Sequence, residues 1–152
     1  MGSVFKPDKW YETLRKPFFT PPKLAFPIVW TLLYAMMTWS AYRALGGGKA
    51  PYRAALAWGL QLSVNAAWSP VMFGWNRADL ASVCAALLWL LVAWTYREFA
   101  AVDDVAGYLM LPYLAWVSVA VALSFSIWKL NWNFQWDHDE VPTVKAAVDK
   151  LN

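Results

Sequence analysis

The chain has 152 residues, of which 60% are hydrophobic and 15% charged; a soluble domain averages about 45–50% apolar and about 25% charged, so both deviations point to a membrane protein. A net charge of +3 is too small to suggest a nucleic-acid partner. One cysteine, Cys84, and one histidine, His138, exclude an intramolecular disulfide and a metal site built from His and Cys ligands.

Five basic residues come first: Lys6, Lys9, Arg15, Lys16 and Lys23. No apolar run among them suits a signal peptide. The stretch from Trp10 to Pro22 is aromatic and broken by Pro17, Pro21 and Pro22, which cannot continue a helix. It reads as a stiff surface loop. Pro27 is tolerable because it falls in a first helical turn, where its missing N–H would be unpaired in any case. Segment A, about 26–44, follows, free of charge over residues 24–42, and Gly46-Gly47-Gly48 with Pro51 ends it. Segment B, about 54–74, meets no charge before Arg77 but holds Gln61, Asn65, Ser69 and Pro70. Segment C, about 80–96, closes at Arg97-Glu98. Segment D, about 105–130, carries Pro112, which a membrane bundle tolerates where neighbouring groups re-satisfy the freed carbonyl. Each segment approaches the roughly 17–25 residues that span a bilayer.

The pattern predicts an all-α integral membrane protein. Four antiparallel transmembrane helices, joined by short connections, sit behind an N-terminal covering loop rich in proline and tryptophan. One domain is expected over 1–136, with a polar tail over 137–152. Twelve tryptophans and seven tyrosines supply interfacial anchors. Nine of the 13 Lys and Arg residues fall on the N-terminal arm, the B–C loop and the tail, which places both termini on the cytoplasmic side.

Polar groups inside membrane helices are costly unless paired, so they are the first functional candidates. Gln61, Asn65 and Trp68 stand at i, i+4 and i+7, on one stripe of segment B. That stripe reads either as the polar lining of a ligand pocket or as hydrogen-bond glue between helices. Phe26, Trp30, Tyr34 and Met37 form an aromatic stripe on segment A, and Trp116, Ala120 and Leu123 stand in line on segment D. These read either as core or lipid contact, or as the walls of a flat aromatic cavity suited to a planar ligand. Residues 80–96 and 105–128 contain no Asp, Glu, Lys or Arg, so no acid–base pair lies within those helices. The single histidine excludes a Ser-His-Asp set, and Gly46–Gly48 lacks the Lys-Ser/Thr of a phosphate loop.

Three motifs in order carry a resemblance. The first is Trp10-Tyr11, Leu14, Lys16-Pro17, Pro21-Pro22, Trp30 and Leu33-Tyr34. The second is Gln61-Leu62, Asn65, Trp68, Pro70, Phe73-Gly74 and Arg77. The third is Pro112-Tyr113-Leu114-Ala115-Trp116, then Ala120, Leu123 and Trp128. Together they resemble the translocator protein / tryptophan-rich sensory protein (TspO/MBR) family. The resemblance implies a small membrane protein whose helices enclose one pocket for porphyrins such as protoporphyrin IX. Some members promote light-dependent porphyrin degradation through two pocket tryptophans, which fall on Trp30 and Trp116. By the same likeness Asn65 and Trp68 line the pocket, Tyr11 lies in the loop that covers it, and Ala120 is the small residue where ligand rings approach a helix.

Two departures qualify the likeness. The family has five helices, the first ahead of the Trp-Tyr loop, whereas nine residues precede Trp10 here. Either the start is truncated or this is a four-helix variant; four helices are expected in this sequence, with the open groove covered by lipid or by a second copy in a homodimer. In the last helix Phe125 stands where the sterol pattern has tyrosine, with Lys129 after it and Ser124 in place of asparagine, so a sterol is the weakest of the implied ligands. The expectation is a porphyrin-binding sensor or regulator of tetrapyrrole metabolism, with no tightly bound cofactor. The alternatives are a transporter of tetrapyrrole or sterol-like molecules and a regulatory membrane partner without a ligand.

Overall fold

The computed structural model describes residues 12–22 and 24–131. Four long helices account for most of them: α1 (Ala25–Leu45), α2 (Tyr52–Ser69), α3 (Ala78–Val102) and α4 (Asp104–Leu130). A π-helical turn over Pro70–Gly74 extends α2. No strand occurs among the described residues. Tyr11 and the polar tail lie outside them.

The boundaries follow from local chemistry. Pro27 sits in the first turn of α1, as its missing N–H requires. Gly46 ends α1 by donating to the Tyr42 carbonyl, and Gly48 adopts φ 66°, a left-handed conformation that glycine takes without cost. Pro51 caps α2 from an extended conformation, two residues earlier than the charge pattern suggests. Pro70 lacks the N–H that an α-helix needs, and the ladder widens there: the Trp75 N–H reaches back to the Pro70 carbonyl. Asn76 then turns the chain at φ 53°, which asparagine tolerates better than most residues.

Helix α3 runs six residues beyond the expected stop at Tyr96. Arg97 and Glu98 do not end it, because Glu98 is paired with Arg53 of α2 and with the indole of Trp94. Asp103 separates α3 from α4 and caps the latter by accepting from the Ala106 N–H at 2.9 Å. The Arg43 guanidinium grips the same carboxylate with both Nε and Nη2, tying α1 to this corner. Those bonds hold Asp103 below the ordinary carboxylate range, Arg43 first and Ala106 second. A carboxylate lowered in the folded state contributes stability above its unfolded pKa, and the contribution disappears as pH falls through the folded value. The corner is thus intact at neutral pH and weakens only in acid.

The helices pack in the order α2, α3, α4, α1, and α1 touches α2 only lightly. The α3–α4 contact is the most extensive and antiparallel, with Ala100 against Gly107 at the corner and Trp89 donating to Ser118 further along. The α1–α4 seam is antiparallel as well. Phe26 meets Trp116, Trp30 meets Tyr113, Ser40 donates to the Ala106 carbonyl and Arg43 reaches Asp103. Two apolar clusters result. The larger joins Leu33 and Met37 of α1 to Val92, Phe99, Met110 and Tyr113. The smaller surrounds Leu14 with Val71, Met72, Ala81, Leu123 and Ile127. Helices α3 and α4, of 25 and 27 residues, are long and apolar enough to cross a membrane. Tryptophans, tyrosines, hydroxyls and amides dilute the apolar character of α1 and α2.

Gly107 is where the α3–α4 hairpin closes most tightly, since a Cβ there would lie 2.6 Å from Ala100 Cβ and 2.9 Å from its Cα. Gly107→Ala is expected to cost about 1–3 kcal/mol through overpacking against backbone. Gly59 of α2 has open space around it, so Gly59→Ala is expected to be neutral or stabilising by up to about 1 kcal/mol. Thermal unfolding in detergent, with the two variants side by side, checks both signs.

Candidate functional site

The stripe on α2 meets the rest of the molecule at Tyr113. The Tyr113 hydroxyl donates to Gln61 Oε1 at 3.1 Å and accepts from Asn65 Nδ2 at 2.7 Å. Asn65 Oδ1 in turn accepts from the Tyr34 hydroxyl at 2.7 Å. Three helices, α1, α2 and α4, are thereby joined by three hydrogen bonds. Gln61 and Tyr113 are completely buried, whereas Tyr34 is 41% exposed at the open α1–α2 side. Two buried donors on the same stripe of α2 have no partner, Gln61 Nε2 and Trp68 Nε1. Unpaired buried donors are expensive, about 1–3 kcal/mol each, so a ligand with acceptor oxygens would be favoured beside them.

The aromatic walls stand around this network. Trp30 packs on Tyr34 with ring centroids 5.5 Å apart and on Tyr113 at 6.2 Å. Trp116 meets Phe26 edge-on at 5.8 Å. Trp30 and Trp116 thus occupy adjacent levels of the α1–α4 seam, both half-buried. Trp68 meets Phe73 edge-on at 5.8 Å, and both pack with Phe26 against the cluster around Leu14 and the buried Leu123. Ala120 is half-buried on α4.

The chain ahead of α1 covers that end. Leu14 is 6% exposed and inserts into the smaller cluster. Next to it the Arg15 N–H donates to Asn131 Oδ1 at 3.0 Å, and Asn131 Nδ2 donates back to the Arg15 carbonyl at 2.9 Å. The asparagine amide thus pairs with one residue of the loop as a neighbouring strand would, and latches it to the end of α4.

The expected residues therefore fall into linked groups: Asn65 in the network, Trp30 and Trp116 on the seam, and Phe26, Trp68 and Leu123 beneath the loop. Tyr11 lies outside the described residues. Two further residues join the expected ones here, Tyr113 and Asn131. Tyr113 was visible as a tyrosine beside Pro112 in mid-helix. Asn131 carried no signal, since its partner lies 116 residues away. A surface hollow of about 610 Å³ lies elsewhere, against Arg53, Trp94 and Arg97, and involves none of the expected residues. No group of three His, Cys, Asp or Glu residues that would hold a metal occurs among the described residues.

A family model described as TspO/MBR matches residues 1–129. The chain belongs to the TspO/MBR family. Members of that family are membrane proteins, so α3 and α4 belong to a membrane domain. Among the relatives, Protein CrtK of Rhodobacter capsulatus is 41% identical over 133 residues, covering 86% of this chain and 83% of that protein. The tryptophan-rich sensory protein of Cereibacter sphaeroides is 41% identical over 136 residues, covering 87% and 83%. The human translocator protein is 36% identical over 133 residues, covering 81% and 75%.

The loop latch makes a prediction. Asn131→Ala removes both bonds to Arg15, and the loop is expected to open about tenfold more often. Trypsin cleavage at Arg15 in detergent reads that opening, and an unchanged cleavage rate would contradict the latch.

Proposed function

We propose that this TspO/MBR member binds a planar tetrapyrrole of the protoporphyrin IX type beneath the 12–22 loop, between the α1–α4 seam and α2. The observation that carries the reading is the pair of buried, unpartnered donors, Gln61 Nε2 and Trp68 Nε1, set among the rings of Phe26, Trp30 and Trp116. Carboxylate oxygens on a flat macrocycle suit those donors, and the macrocycle suits the aromatic faces. Asn65 and Tyr113 hold the Gln61 amide in place. Ala120 keeps room on α4, and Leu123 closes the apolar floor. In this reading all four helices cross the bilayer and both termini face the cytoplasm, as the Lys and Arg distribution favours.

The role is that of a sensor or regulator, in keeping with the name of the C. sphaeroides relative. Light-dependent loss of the bound porphyrin is assigned to Trp30 and Trp116 as the neighbouring oxidisable rings. Transport is the second reading, favoured by the name of the human relative. Against ion-driven transport, α1 and α4 carry no ionisable carboxylate, lysine or arginine between residues 24 and 42 or 105 and 128.

Titration of protoporphyrin IX into detergent-purified protein in the dark tests binding through tryptophan fluorescence. Saturable quenching is expected, with Asn65→Ala weakening affinity about five- to twentyfold by releasing Tyr113 and Tyr34. Linear quenching, unchanged by the substitution, would mean partitioning into the micelle. Trp30→Phe and Trp116→Phe are expected to slow the light-dependent loss more than they weaken dark binding.

A further inference from the structure

The hollow on the outer face of α2 and α3 has the layout of a site for one amphiphile. Leu90, Ala93 and Arg97 form one stripe of α3, continued by Ala101, with Trp94 and Glu98 beside it; Arg53 reaches in from the first turn of α2. Leu90 and Arg97 are separated by about 10 Å along the helix axis, so an apolar end and a cationic end face the same opening. Leu90 is 61% exposed, which is ordinary for a surface that meets acyl chains.

The charges at the cationic end are unevenly spent. Glu98 uses one oxygen to accept from Trp94 Nε1 at 3.1 Å and the other to accept from Arg53 Nε at 2.7 Å. That bond engages Nε, on an Arg53 side chain that is 60% exposed. Arg97 forms no ion pair among the described residues. The hollow therefore carries one net positive charge, presented by two guanidinium groups beside an interfacial indole. Guanidinium forks match phosphate oxygens, and tryptophan settles at the headgroup level.

We propose that this hollow, of about 610 Å³, binds one anionic phospholipid. Its phosphate lies between Arg53 and Arg97, and an acyl chain runs along Ala93 and Leu90. The site is separate from the tetrapyrrole site and does not depend on it.

The test is lipid retention. Protein is delipidated in detergent, re-equilibrated with phosphatidylglycerol or phosphatidylcholine, and examined by native mass spectrometry. The wild type is expected to retain one phosphatidylglycerol in preference to phosphatidylcholine. Arg97→Gln is expected to lower that occupancy about five- to tenfold. Leu90→Ser, at a surface position, is expected to lower it without any change in charge. Lys49→Gln, which removes one charge from the nearby α1–α2 connection but not from the hollow, is expected to change nothing. Dark porphyrin quenching is expected to be unaffected in all three variants, which separates this site from the first. Equal retention of the two lipids, full retention by Arg97→Gln or by Leu90→Ser, or an equal loss in Lys49→Gln would overturn the proposal. So would inorganic phosphate alone raising the melting temperature as much as phosphatidylglycerol, since the site would then recognise an anion and not a lipid.

Discussion

Everything near the centre of this molecule depends on what the Tyr113 hydroxyl does. Gln61 is completely buried and Asn65 half-buried, and a buried amide without a partner is costly, so both bond inside the protein. One hydroxyl serves both, donating to Gln61 and accepting from Asn65. Asn65 passes the connection to Tyr34, and that bond bridges the lightly packed α1–α2 gap. On the same stripe of α2, Gln61 Nε2 and Trp68 Nε1 stay unpaired. A bundle held this way is stable enough to keep its shape, and it retains unspent hydrogen-bonding capacity where aromatic walls meet.

The two ends of the bundle are built differently. At the end near Leu14 the chain is closed by an apolar plug and by a pair of amide hydrogen bonds to Asn131, both of which can release without breaking a helix. At the opposite end Arg43–Asp103 and Arg53–Glu98 fasten α1 to the α3–α4 corner and α2 to α3. In the proposed reading, opening for a ligand belongs to the loop end, while the charged end holds the helices in register. Gly107 against Ala100 fixes that register by allowing the backbones of α3 and α4 to approach.

Much of this was legible in the residues. Charge-free runs, the triple glycine and Pro51 placed α1 within a residue at each end, because those signals act locally. Segment C was read short, since Arg97 and Glu98 look like a helix end until Arg53 is known to lie beside them. The stripe Gln61–Asn65–Trp68 was visible from spacing alone, but its purpose was not. Its partner Tyr113 is about 50 residues away, and no spacing ties it to that stripe. The Arg15–Asn131 latch was invisible for the same reason: pairing across a whole chain leaves no periodic trace.

The most direct test of the central claim is to let the ligand mark its own surroundings. Protein loaded with protoporphyrin IX at one equivalent is illuminated in detergent, and oxidised residues are mapped by peptide mass spectrometry. Modification is expected to concentrate on Trp30 and Trp116 and to fall when Asn65 is replaced by alanine. The more exposed Trp39, Trp75 and Trp89 are expected to be spared. Oxidation spread over those outward-facing rings, with Trp30 and Trp116 no more modified than the rest, would contradict a site beneath the loop.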